Sequence, residues 1–447
     1  MKKLFALFVT LVLFLGFAAP STVDAAPAPG GPFASTVKLQ NMGAEEATVA
    51  LAFYDASGTK VYELADQVIA VNDTLVLYAP NLSSLASGEY SLVVSSNQPI
   101  ASVSNFSDSD SDAAYTGFDE GSMEWYVPNL YDDYYSYYSN IYVQNVTDSA
   151  VDITLEVFAP NNPTPILTDT KYDVPAFASV QWDMTGQAAL AQNGTYGGKI
   201  TSTGNTVAIA NIHGSGDTEK QLYSFNGYAA GSTTWFTPTI MNDYYGWNAA
   251  IVVQNVSNST ANVDVDYSTG VSTSYQINPQ SPLVIYVPNI SGLPTGSSGL
   301  FSAEITSDVD VVVMVNESNT YNRAATYNGF GGGTVKVYAP SVMRNASDFS
   351  TSVTCQNVGT SPTRMQIQYF EQAGAGNTTG YISAGDTFLW YQPNESLPDG
   401  YDGNAIITSV DGQPIACIIN ANMESDPYFT QSMDMLSSYN GIDQYVE

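Results

Sequence analysis

The sequence predicts an all-β chain built as four tandem β-sandwich domains forming a rod. Three observations carry that expectation. A Gln-Asn pair closes an alternating apolar strand four times, at Gln40-Asn41, Gln144-Asn145, Gln254-Asn255 and Gln356-Asn357. The last three pairs are each preceded, at one constant interval, by a proline: Pro128, Pro238 and Pro340. An aromatic-x-Gly triplet follows each pair, at Tyr115–Gly117, Phe225–Gly227, Tyr327–Gly329 and Tyr439–Gly441. Internal repetition of this kind sets the architecture before any single motif is weighed.

Taken in order, residues 1–25 read as a signal peptide. Lys2 and Lys3 precede an apolar run from Leu4 to Phe17, and Val23-Asp24-Ala25 offers a cleavage site before Ala26. The run is too short and wrongly flanked for a membrane span. The repeats then fall at 26–124, 125–234, 235–336 and 337–447. Within each, the stretch after Gln-Asn alternates strictly, as in Thr48–Tyr54, Val151–Val157, Val263–Tyr267 and Met365–Tyr369, which is the signature of a half-buried antiparallel strand. A Pro-Asn turn follows, then Gly-bounded strands (Ser91–Ser95, Gly198–Thr201, Phe301–Ile305, Asn404–Thr408). A nearly continuous apolar strand comes next (Ile100–Val103, Val207–Ala210, Val311–Val315, Ile415–Ile419). About seven short strands per repeat, with no helical period, predict an immunoglobulin-like sandwich. The interval from each aromatic to the next proline is constant, which a flexible linker does not require, so abutting repeats are expected.

Composition points outside the cell. Lys+Arg number 11 against Asp+Glu 43, for a net charge of −32, so nucleic acid and anionic membrane surfaces are repelled as partners. Charged residues make up only 12% while hydrophobics reach 44%, which is a folding composition and not a disordered one. The acidity serves solubility, or else cation-bridged assembly.

Cys355 falls on the Gln-Asn strand at the position of Leu39, Val143 and Val253; Cys417 falls on the late apolar strand at the position of Ser102, Ile209 and Val313. If these strands face each other across the sandwich, the pair is an inter-sheet disulfide, worth roughly 4 kcal/mol in the chain-entropy model. Two buried thiols are the alternative, and export favours the disulfide.

Several motifs carry a resemblance. Pro340–Arg344 (Pro-x-Val-Met-Arg), the aromatic Phe349, Val-Gln-Asn, Leu397–Gly400 (Leu-Pro-Asp-Gly) and Pro414–Ala416 resemble tandem immunoglobulin-like repeats in secreted and surface proteins of filamentous bacteria. The resemblance implies extracellular display on a β-sandwich scaffold and offers no catalytic residues to carry over. The first repeat departs from it by lacking the leading segment, and the second replaces Pro-Asn with Asp183-Met184-Thr185.

No catalytic constellation stands out. His213 is the only histidine and has no Ser-His-Asp setting, and neither a Walker loop nor a dinucleotide fingerprint occurs. Asp108, Asp110 and Asp112 have the spacing of a Ca2+ loop, with Asp119 at its twelfth position, but Ala113 stands where such loops require Gly. A solvated acidic hairpin is the alternative. Tyrosines cluster at Tyr131, Tyr134, Tyr135 and Tyr138 and again at Tyr244 and Tyr245; they are candidates for partner or glycan contact, or for packing between repeats. Glycosylation sequons begin at Asn72, Asn81, Asn105, Asn145, Asn193, Asn255, Asn258, Asn289, Asn316, Asn345, Asn377 and Asn394.

The expected function is that of a non-enzymatic, secreted structural subunit assembling with itself, or with other surface proteins, into an extracellular filament, sheath or surface layer. Head-to-tail joining by strand addition is expected, with Gly441–Glu447 or Pro27–Phe33 of one copy docking on the next. The alternative is a cell-surface adhesin or carbohydrate-binding protein using the tyrosine loops, with a hydrolase a distant third.

Overall fold

The computed structural model describes residues 32–108, 110–191, 193–214, 221–319, 323–370, 376–423 and 435–443. The expected leader and the segment 26–31 lie outside these, as do 444–447. Among the described residues every regular element is a β-strand, apart from single-turn 3-10 segments. Three of those turns, Ala79–Asn81, Val287–Asn289 and Gln392–Asn394, are the expected Pro-Asn turns.

The strands form one recurring arrangement. In the first repeat a four-stranded sheet runs in the order Thr74–Tyr78, Ala34–Asn41, Ile100–Ser107, Asp112–Thr116, all antiparallel. A second sheet runs Lys60–Ile69, Ala47–Tyr54, Ser91–Ser96. The second and third repeats differ from the expectation in one respect. The two strands expected at the late end of each are a single long strand, Gly194–Gly214 and Leu300–Asn319, which passes from one set of neighbours to the other. Alternation holds where it was read: Ala261–Tyr267 buries Ala261, Val263, Val265 and Tyr267 and exposes the residues between.

Side-chain bonds explain why the landmarks recur. The Asn255 Nδ2 donates to the carbonyls of Ser259 (2.7 Å) and Ile277 (3.0 Å), while its Oδ1 accepts from the Ser257 amide (2.9 Å). Asn41, Asn145 and Asn357 make the same kind of knot with Glu45 and Ile69, Ser149 and Val174, and Ser361 and Ile382. Each side chain is fully buried and satisfies backbone groups both of the turn that follows it and of a segment far along the chain. The aromatic landmark ties to the proline landmark. The Tyr327 hydroxyl donates to the Thr239 carbonyl (2.6 Å) and Tyr439 to that of Ser341 (2.6 Å). The glycine that follows is needed for close approach, since a Cβ at Gly329 would lie 2.7 Å from the Val313 carbonyl oxygen.

The chain divides into two compact units, Met1–Pro160 with Thr164–Ala230, and Gly231–Glu447 with Asn161–Pro163. Within each, the middle residue of the aromatic triplet links neighbouring repeats. Asn226 Nδ2 donates to the Thr116 carbonyl (2.8 Å) in the first unit, and Asn440 Nδ2 to the Asn328 carbonyl (2.6 Å) in the second.

Cys355 and Cys417 are disulfide-bonded. The inter-sheet placement expected for them is corrected, because they sit directly opposite one another on paired strands of one sheet, Phe349–Asn357 and Ile415–Met423. The same register places Leu39 opposite Ser102 and Val253 opposite Val313, but Val143 opposite Ala208 and not Ile209.

Candidate functional site

The first candidate is a sheet edge. In the last three repeats the strand before Gln-Asn, Ser122–Asp132, Ser232–Met241 or Lys336–Arg344, lies beside the strand equivalent to Ser91–Ser96. In the first repeat no such partner occurs among the described residues, and Ser91–Ser96 pairs only with Ala47–Tyr54. Ser91–Val94 and Ser96 are nevertheless buried, and the Ser91 hydroxyl is hydrogen-bonded to that of Ser179 in the second repeat. A strand without a neighbour on one side is where a sheet accepts another strand. The sequence just before Phe33 suits that place poorly, since Pro27, Pro29 and Pro32 have no amide to donate. At the other end, part of the expected docking tail is already used at home. Ile442 and Asp443 pair with Tyr338 and Val337.

The second candidate is a pair of tyrosine-tipped hairpins. Tyr134 and Tyr137 exchange two backbone hydrogen bonds, of 3.1 and 3.0 Å, across a two-residue turn, and Tyr244 and Trp247 do the same at 3.0 Å. Both central residues have positive φ, 50° and 66° at Tyr135 and Ser136 and 50° and 86° at Tyr245 and Gly246, as a type I′ turn demands. Asn, Asp and Gly suit that conformation, and the equivalent turn in the fourth repeat uses Ser347 and Asp348. A bulky tyrosine there costs on the order of 1 kcal/mol of backbone strain. Tyr135 and Tyr245 are nevertheless 74% and 69% exposed, so no burial offsets that strain.

The other tyrosines divide. Tyr131 is buried and stacks on Tyr134 with ring centroids 5.1 Å apart, which favours packing over its expected role as a surface contact: its strand is buried without a break from Trp125 to Asp132. Tyr138 donates to Asp133 Oδ1 (2.9 Å) and stacks on His213. His213 is itself buried, and desolvation pushes its imidazole down to about 4, so it is neutral at physiological pH.

The acidic stretch forms the tip of the Ile100–Ser107/Asp112–Thr116 hairpin. Asp108 Oδ1 accepts from the amides of Asp110 and Ser111 (2.7 Å each), and buried Asp112 accepts from Asn105 Nδ2 (2.6 Å). Asp119 lies beyond this hairpin and is exposed. The hairpin thus turns the Asp108 and Asp112 carboxylates onto its own backbone and Asn105. Among the described residues no three His, Cys, Asp or Glu side chains converge as a metal-holding group.

The sequons also divide. Asn145 and Asn255 are the buried knots described above, with no room for a glycan, and Asn105 is held by Asp112. Asn72 and Asn316 are half-buried; Asn81, Asn193, Asn258, Asn289, Asn345, Asn377 and Asn394 are exposed.

A cavity of about 560 Å³ in the second unit was not visible to motif reading. Tyr244, Tyr245, Trp247 and Tyr391 line it, together with fully buried Glu317. The signal that could have found it is repeat register. Counting along the late apolar strand from the residue paired with the Gln-Asn asparagine, Glu317 occupies the place of Phe106, Ile212 and Ala421.

No family model matches the chain, nor does any curated protein. Among solved structures, a Thermotoga maritima protein is 22% identical over 22% of this chain and 94% of its own, with a TM-score of 0.19. The Streptomyces avermitilis α-L-rhamnosidase complexed with L-rhamnose is 8% identical over 94% of this chain and 58% of its own, TM-score 0.13. The major pilin of Streptococcus pyogenes is 9% identical over 71% of this chain and 98% of its own, TM-score 0.13. At such scores none of these likenesses carries an argument.

Proposed function

We propose that the chain is a secreted, non-enzymatic structural subunit whose copies join by strand addition into an extracellular filament, sheath or surface layer. Its four repeats are, in this reading, immunoglobulin-like sandwiches set in a rod. The observation that carries the proposal is that, among the described residues, Ser91–Ser96 has a strand partner on one side only. The occupant is a second copy of the chain, because the other three repeats show what fits there: a strand of this chain's own repeat, in antiparallel register. The residues after Asp443 are the donor. In sequence Val446 stands where Ser122, Ser232 and Thr334 stand, four positions after Phe118, Tyr228 and Phe330, the counterparts of Ile442. The disulfide and the strong net negative charge support an extracellular setting.

Truncation after Asp443 tests this, because it leaves every described strand in place. The full mature chain should form concentration-dependent polymers, and the truncated chain should stay a folded monomer. Undiminished polymers from the truncated chain would overturn the proposal. Repeating the assay with and without calcium tests the acidic hairpin as a site of cation-bridged assembly.

A further inference from the structure

Glu317 is a departure from the repeat that stability does not explain. Its equivalents Phe106, Ile212 and Ala421 are apolar and buried, as a core position requires. Glu317 is just as buried, with its backbone paired between Ala249 and Ala325. One carboxyl oxygen, Oε2, accepts from Asn420 Nδ2 (2.8 Å), and the other, Oε1, has no hydrogen-bond partner. An unmatched buried oxygen costs about 1–3 kcal/mol, and the three other repeats avoid that cost with carbon. The acid lines the cavity whose rim is the strained, exposed hairpin tip of Tyr244 and Tyr245. Two independent penalties, in strand and in hairpin, therefore converge on one space.

The chemistry of that space narrows its ligand. Trp247 and Tyr391 join the two rim tyrosines, giving aromatic faces with polar edges. Between them stand hydroxyls and carboxamides, among them Ser350, Asn394 and Asn422. No Lys or Arg lines the cavity, and the chain's charge repels anions. The volume lies within the range of small-molecule sites, about 300–1,000 Å³. We propose that this cleft binds a neutral saccharide, with a sugar face stacked on Tyr245 and Trp247 and ring hydroxyls bonded by Glu317 and the carboxamides. Sugar C–H faces are apolar and fit aromatic rings, while each hydroxyl both donates and accepts. Burial keeps the Glu317 carboxyl protonated at neutral pH, so it too can donate and accept. Glu395 also lines the cavity, but its carboxylate accepts from Asn377 Nδ2, and a cationic ligand would find no use for the Glu317 donor or the amide donors around it.

The molecule supplies its own control. The equivalent hairpin in the second repeat carries Tyr134 and Tyr135, but Ile212 stands beneath it in place of the acid. Sugar binding therefore belongs to this cleft, which the third and fourth repeats line together, and the inference does not rest on strand addition.

The test uses the full mature chain, titrated with cellotetraose, maltotetraose, xylotetraose and chitotetraose and followed by calorimetry and tryptophan fluorescence. A glycan array of bacterial and plant polysaccharides extends the search. Saturable binding of at least one saccharide is expected. Tyr245→Ala should weaken it by about tenfold or more. Glu317→Leu, which restores the apolar pattern of the other repeats and so should fold, should do the same. Tyr135→Ala should leave it unchanged. No binding to any saccharide, binding that survives both cleft substitutions, or binding of choline in preference to sugars would each overturn the proposal.

Discussion

Replacing Glu317 with glutamine should change how stability depends on pH, and the structure gives the size of the change. Burial pushes this carboxyl from its ordinary 4.5 up to about 8, opposed only by the hydrogen bond from Asn420. Below 4.5 the acid is protonated in both folded and unfolded chains, and the fold keeps its full stability. Between 4.5 and about 8 the unfolded chain releases the proton while the folded chain holds it. Stability then falls with rising pH by about 1.4 kcal/mol per pH unit, reaching a deficit of about 3 kcal/mol at neutral pH and levelling off above about pH 8. Glutamine keeps the acceptor for Asn420 and does not titrate. The assay is urea unfolding of wild type and Glu317→Gln, followed by tryptophan fluorescence from about pH 5 to about pH 9. The difference between the two curves should grow in favour of the variant as pH rises. Parallel curves across that range would refute the reasoning, because they would mean the carboxyl ionises as readily in the fold as out of it.

Two further perturbations follow from the repeat. Asn255→Ala removes a buried side chain that serves two carbonyls and an amide, so it should cost about 3 kcal/mol or more, measured by the same unfolding assay; a loss under about 0.5 kcal/mol would contradict the knot. Replacing both cysteines with alanine opens a loop of 62 residues and should lower the stability of the fourth repeat by roughly 4 kcal/mol, read as early hydrogen exchange confined to residues after Lys336. Unchanged exchange there would contradict it.

Much of the fold was legible because strand periodicity and turn chemistry are local. The alternation of Ala261–Tyr267 and the Pro-Asn turns needed no tertiary knowledge. The recurrence of Gln-Asn was visible too, though its cause was not, since Asn255 reaches a carbonyl of Ile277 far along the chain. What failed was phase and continuity. Whether Cys355 and Cys417 meet across a sandwich or side by side depends on which strands are neighbours, which alternation leaves open. The separate apolar runs Gly198–Thr201 and Val207–Ala210 suggested two strands where one bends through. Tyr131 and Tyr135 look alike in sequence, yet one points into the core and the other sits at a turn apex with positive φ. Glu317 was missed because an acid after Val311–Val315 resembles the polar end of a strand until register sets it beside Phe106, Ile212 and Ala421.

The most direct test of strand addition is negative-stain electron microscopy of the mature chain beside the chain truncated after Asp443, at matched concentration. The account predicts regular fibres or sheets from the first and separate monomers from the second. Fibres of equal length and abundance from both would contradict it.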